Sequence, residues 1–198
     1  MDKIICLGKN YSEHAKEMGE AQPEKPVIFL KPHSILVQIQ TSLQKKELCF
    51  PMGRGLVHHE CEIVLKLGKN QNIEAVTLGL DMTLRDVQNE SKKKGQPWTT
   101  SKVFQDSAVV GPWISVVEFL DWEERPFQFH LDGKLRQTGS ANEMTLKAEE
   151  IPSYVSGFFP LCEGDLIFTG TPAGVGPVER GSLAQLNWGK ISYQVTWT

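Results

Sequence analysis

Long apolar runs are absent from this chain of 198 residues, and no stretch approaches the roughly 20 residues that cross a bilayer. The opening Met1-Asp2-Lys3-Ile4-Ile5-Cys6-Leu7-Gly8 holds too short an apolar run for a signal peptide and reads as a buried strand. Positive charge is not in excess either. Twenty-one Lys and Arg stand against 24 Asp and Glu, a net charge of −3, so no basic field exists for nucleic acid or an anionic membrane. Cysteine is scarce. Cys6, Cys49, Cys61 and Cys162 form no Cys-x-x-Cys pair, and reduced thiols in a cytoplasmic protein are expected. Familiar signatures are missing too. There is no His-Glu-x-x-His, no phosphate loop and no Gly-x-Gly-x-x-Gly. His58-His59-Glu60 could open a zinc deaminase signature, but Pro160-Leu161-Cys162 lacks the second cysteine that would close it.

What is present suits one domain over residues 1–198 with an ordinary core, since 40% of the residues are hydrophobic. Short apolar strands are expected at Val27–Lys31, Val57–Leu67, Leu78–Thr83 and Asp165–Thr169. Phe127–Leu131 and Lys134–Thr138 alternate around Asp132-Gly133, a hairpin signal, and alternation returns at Leu183–Trp188 and Ile191–Trp197. Helical readings are few: a short helix after Asn10 ending near Gly19, a polar one from Arg85 to Lys94, and Ile151–Phe159. Strands outnumber helices without regular βα alternation. The expected class is α+β, mainly β.

The informative segment is His58-His59-Glu60-Cys61-Glu62-Ile63-Val64-Leu65. Side chains alternate along a strand, so Glu60 and Glu62 project from one face and Cys61 and Ile63 from the other. Two carboxylates in an apolar strand repel unless one is protonated or a cation lies between them. Asp81, a lone acid in Gly79-Leu80-Asp81-Met82-Thr83, supplies a third. An all-oxygen set of this kind favours a hard ion, Mg²⁺ or Mn²⁺. The pattern alone leaves the alternative open, because Glu-x-Glu on a strand is commonly a solvated outer face.

Other residues carry weaker signals. His14 and Glu17 share a helix face, and a carboxylate beside an imidazole raises its basicity, but such a pair is also an ordinary surface feature. Arg85 and Gln88 follow Asp81 at one helical spacing. Lys31 and Lys102 stand alone. The Gly170–Gly176 loop has glycines and Pro172 that shape a tight turn with amides available to an anion.

Six motifs in order then resemble the fumarylacetoacetate hydrolase family, in its small acylpyruvate hydrolase and oxaloacetate decarboxylase-like branch. They are Gly8-Lys9-Asn10-Tyr11 with His14, Phe29-Leu30-Lys31-Pro32, His58-His59-Glu60-Cys61-Glu62, Leu80-Asp81-Met82-Thr83-Leu84-Arg85-Asp86-Val87-Gln88, Gly95-Gln96-Pro97-Trp98 with Lys102, and Gly164-Asp165 through Thr169-Gly170-Thr171-Pro172 to Gly176. The resemblance implies a mixed β-sandwich roll with a few short helices, a homodimer, and an Mg²⁺ or Mn²⁺ ion on Glu60, Glu62 and Asp81. It implies an acid/base dyad of His14 and Glu17, Lys102 as a catalytic cation, and substrate contacts from Lys31, Arg85, Gln88 and Thr171. The implied activity is C–C hydrolysis of acylpyruvates such as acetylpyruvate and fumarylpyruvate. Oxaloacetate decarboxylation, oxo-acid tautomerisation and a catalytically idle oxo-acid binder are the alternatives. Between Gly68 and Leu78 the chain is about ten residues shorter than the family pattern, enough to remove a helix and to strain the placement of Asp81.

Overall fold

In the computed structural model, which describes residues 3–12 and 25–198, the alternating apolar segments become strands of curled sheets. Along the chain these are β1 (Ile4–Gly8), β2 (Val27–Lys31), β3 (Leu36–Gln38), β4 (Lys45–Leu48), β5 (Val57–His59), β6 (Cys61–Leu67), β7 (Ile73–Asp81) and β8 (Thr83–Leu84). There follow β9 (Ala108–Val110), β10 (Ile114–Ser115), β11 (Phe127–Leu131), β12 (Lys134–Gly139), β13 (Leu166–Phe168), β14 (Gly176–Pro177), β15 (Leu183–Trp188) and β16 (Ile191–Trp197). The described α-helices are short: α1 (Arg85–Lys93), α2 (Thr99–Lys102) and α3 (Ile151–Ser156). None is long and apolar enough to cross a membrane.

The largest sheet runs β2-β1-β13-β6-β7-β9-β3, with β10 added at β7. A second sheet runs β12-β11-β15-β16-β4, and β14-β5-β8 make a small third one. Alternation explains why the large sheet is buried on both sides. Ile5, Ile63, Leu65 and Ile167 face the main core, which they share with Phe127, Phe129, Leu186 and Tyr193 of the second sheet. Ile4, Cys6, Val64 and Phe168 face the other way, into a smaller cluster packed by Phe29 and Trp113. Glu62 is in phase with Val64, so it opens toward this second, smaller side.

Two sequence expectations take a different form. The strand expected over Val57–Leu67 is interrupted at Glu60, which lies between β5 and β6. The break lets β5 leave the large sheet and pair with β8 and β14. The short connection before Leu78 is a tight turn, and β6 and β7 are directly paired from Cys61↔Leu80 to Leu67↔Ile73. Gly68 N–H donates to Asn72 O across that turn (2.8 Å). The expected strain on Asp81 does not arise. The turn is at the far end of the hairpin, about 26 Å away at roughly 3.3 Å per residue. The Asp81 backbone is tied to its neighbour by its N–H to Glu60 O (2.9 Å).

Other local readings match. Asp132 and Gly133 both adopt positive φ (51° and 75°), as a two-residue hairpin turn requires. α1 stops where Gly95 turns to φ 63°, a left-handed residue that ends a helix. Gly79 is obligatory for packing. A Cβ there would meet Val109 O at 2.6 Å and Val64 Cγ2 at 2.7 Å.

Candidate active site

The three acids anticipated from the sequence come together. Oxygen atoms of Glu60, Glu62 and Asp81 all lie within 4.8 Å of one another, and the three residues are buried. β6 delivers Glu62, the break before it delivers Glu60, and the end of β7 delivers Asp81. The hairpin register sets their spacing.

Three buried cations surround them. Lys102 Nζ, from α2, lies 2.7 Å from Glu60 Oε2, 2.5 Å from Asp81 Oδ2 and 2.8 Å from Thr83 Oγ1. Arg85, the first residue of α1, donates through Nη2 to Glu60 Oε1 and through Nη1 to Gln88 Oε1, the latter at 2.6 Å. The i,i+3 spacing of Arg85 and Gln88 on one helix face makes this contact. Lys31 Nζ donates to Ser107 O (2.6 Å) and Met82 O (3.3 Å), and lies 2.6 Å from Asp81 Oδ1. Lys31 is not among the residues lining the cleft; it stands behind Asp81.

Electrostatics follow from this packing. Burial pushes the Glu62 carboxyl well above the usual carboxylate range, and repulsion from Asp81 and Glu60 adds to it. Its described hydrogen bond is a single one, from Gly170 N–H to Oε2 (2.8 Å). Burial works against the charge of Lys102, but Asp81 and Glu60 outweigh it and hold the ammonium pKa above its ordinary value. His58 and His59 are pushed down to about 4, chiefly by burial.

Over the charged floor is a cleft of about 450 Å³ including its mouth, lined also by Leu7, Gly8, Lys9, Phe29, Gln88, Lys92, Trp98 and Thr171. Phe29 and Trp98 form an aromatic wall, ring centroids 5.8 Å apart. Lys102 Nζ lies 4.9 Å from the Phe29 ring and Lys92 Nζ 5.2 Å from that of Trp98. Gly170 makes the close approach behind the site possible. Its φ is 98°, and a Cβ would meet Leu7 O and Asn10 Cβ at 3.0 Å. Thr171 lines the cleft while its hydroxyl donates to Cys61 O (2.8 Å). His14 and Glu17 lie outside the described residues.

This arrangement has relatives. The fumarylacetoacetate (FAA) hydrolase C-terminal family model matches residues 3–193. The chain belongs to the fumarylacetoacetate hydrolase family. Within that family of enzymes it is 38% identical to oxaloacetate tautomerase YcgM of Escherichia coli (strain K12) over 192 residues, 91% of this chain and 85% of that one. It is 35% identical to a mitochondrial oxaloacetate decarboxylase of Dictyostelium discoideum over 192 residues, covering 91% and 86%. Fumarylpyruvate hydrolase from Pseudomonas aeruginosa, solved in complex with Mn²⁺ and pyruvate, superposes with a TM-score of 0.88 at 33% identity, covering 99% of this chain and 90% of that one. The β-rich roll with few short helices is thus the fold that this family shows.

The donor set here suits a hard divalent ion. All three groups are carboxylates, and the buried Asp81 Oδ1 accepts no aligned hydrogen bond although Lys31 is close. Family motifs did not point to every residue of the cleft. Lys92 was readable, since it continues the face of Arg85 and Gln88 at i+4 from Gln88. Gln137, behind the cleft, carries no such mark, because its partners are distant in sequence.

Proposed function

We propose that the chain is a divalent-metal enzyme acting on small 2-oxo acids, with keto–enol chemistry on oxaloacetate as its leading reaction. Decarboxylation of oxaloacetate and C–C hydrolysis of acylpyruvates to pyruvate and a carboxylic acid belong to the same site, because all pass through an enolate. The observation that carries this reading is the buried triad Glu60, Glu62 and Asp81 facing an equal number of cations. Such a floor is formally neutral. With Mg²⁺ or Mn²⁺ added it is doubly positive, and it would attract a substrate bearing two carboxylates. The names of the relatives support this substrate class.

When bound, the ion would supply Lewis acidity toward developing negative charge on the oxo group. The remaining work falls to the chain. Glu60, Glu62 and Asp81 would hold the ion. Lys102 places a fixed ammonium beside the same region, where low dielectric strengthens its pull on an enolate oxygen. Arg85 orients Gln88 toward the cleft, and Thr171 bounds the far side. Phe29 and Trp98 exclude water from the reacting carbons. We assign Lys31 to bracing Asp81 rather than to touching substrate. His14 and Glu17 remain our candidates for moving the proton. A homodimer and a cytoplasmic location complete the proposal, the latter supported by four free cysteines, two of them buried.

The test is a panel of oxaloacetate, acetylpyruvate and fumarylpyruvate with Mg²⁺ or Mn²⁺, with and without EDTA. Oxaloacetate tautomerisation is expected to need the metal, to stop on chelation and to return on adding it back. Mn²⁺ binding with no turnover of any substrate would leave an idle binder and sink the enzyme reading. In the same panel His14→Ala is expected to lower acylpyruvate hydrolysis by about 100-fold or more, since only hydrolysis needs an activated water. Decarboxylation is expected to change far less. Equal retention of both activities would remove the dyad from the mechanism.

A further inference from the structure

The peptide of Cys61 lies between two of the triad carboxylates, and strand pairing does not hold its outer edge. Odd-numbered residues of β6 turn their N–H and C=O groups toward β13, but β13 ends at Phe168, opposite Val64. Beyond that point the Thr169 backbone and then side chains complete the ladder. Thr169 donates to Ile63 O through its N–H (3.1 Å) and its hydroxyl (2.8 Å). Thr171 Oγ1 donates to Cys61 O (2.8 Å). The Cys61 N–H donates to Gln137 Oε1 (3.0 Å), which arrives on β12 from the second sheet.

Gln137 is 1% exposed and every polar position of its amide is used. Oε1 faces both the Cys61 N–H and His59 Nδ1, each at 3.0 Å. Nε2 donates to Thr171 Oγ1 (2.7 Å) and Pro172 O (2.9 Å). The Pro172 carbonyl can only accept, so it fixes which end of the amide is nitrogen. The proton on His59 then belongs on Nδ1. One carboxamide thereby joins the peptide between Glu60 and Glu62 to the loop whose Gly170 N–H holds Glu62.

We propose that Gln137 is a positioning residue of the metal site, setting the separation of Glu60 and Glu62 by clamping the Cys61 peptide to the Gly170–Pro172 loop. The inference rests on the reading that the triad holds a divalent ion. Gln137 does not line the cleft, so it acts only through these neighbours. Outer groups that orient metal ligands commonly change metal affinity by 10- to 100-fold when removed.

The experiment is a Mn²⁺ titration followed by electron paramagnetic resonance, without substrate, on the unmutated chain, Gln137→Met, Gln137→Asn and Val195→Ala. Gln137→Met matches the size and removes all four bonds. Gln137→Asn keeps an amide too short to reach both sides, and it stands in if the methionine variant does not fold. Val195→Ala makes a cavity in the same second sheet, away from the clamp. Both Gln137 variants are expected to bind Mn²⁺ about 10- to 100-fold more weakly. Val195→Ala is expected to melt earlier with unchanged affinity. Unchanged affinity in a folded Gln137 variant overturns the positioning role, as does an equal loss in Val195→Ala. Failure of the unmutated chain to bind Mn²⁺ overturns the metal reading, and this inference with it.

Discussion

Asp81→Asn is expected to abolish Mn²⁺ binding at millimolar concentrations and to lower kcat/KM for oxaloacetate by about 1,000-fold or more. The substitution preserves shape but removes the charge and turns one acceptor oxygen into a donor that faces a lysine, so the effect reads the loss of the carboxylate. Asp81 lies 2.6 Å from Lys31 Nζ and 2.5 Å from Lys102 Nζ, all three residues being nearly inaccessible to solvent. Without the carboxylate, Lys31 keeps only the Ser107 and Met82 carbonyls, and Lys102 keeps Glu60 and Thr83. Removing one partner of a buried ion pair costs about 3–5 kcal/mol, so the variant should also melt earlier. Calorimetry with Mn²⁺ titration separates the two effects. A folded Asp81→Asn protein that retains both metal and turnover would show that the ion binds elsewhere.

Lys102→Met should behave in the opposite way toward the metal. The ammonium occupies the space beside Glu60 and Asp81 and competes with any cation for their oxygens. Its removal is expected to leave Mn²⁺ affinity unchanged or raise it. Turnover is expected to fall by about 100- to 1,000-fold, the usual effect of deleting one preorganised stabiliser of a developing oxyanion. Steady-state kinetics at saturating Mn²⁺ and a binding titration measure the two quantities independently. Weaker metal binding with unaltered kcat would mean that Lys102 only holds the carboxylates in place.

The parts of the site differ in how locally they are written in the chain. Glu62 and Asp81 were legible because lone acids in apolar strands are conspicuous, and Arg85 with Gln88 because helix spacing is regular. The break at Glu60 was not legible. It depends on β5 leaving one sheet for another, a choice made by pairing with β8 and β14. Lys31 entered as a substrate contact only through the family resemblance, and its contacts with Ser107 O, Met82 O and Asp81 Oδ1 appear only in three dimensions. Gln137 is the extreme case. It alternates in an ordinary hairpin strand, and its partners are 78, 76, 34 and 35 residues away. The fold class was more accessible, since period-two alternation and the Asp132-Gly133 turn are properties of short segments.

The Gly68–Asn72 turn gives this architecture an address for length variation. Lengthening a flexible five-residue tip by ten residues costs only roughly 1 kcal/mol of closure entropy. Such a change is also separated from the chemistry by the whole ladder of β6 and β7. Evolution could therefore add or delete a helix there as an independent module, acquiring or discarding outer surface while the reacting end stays in register.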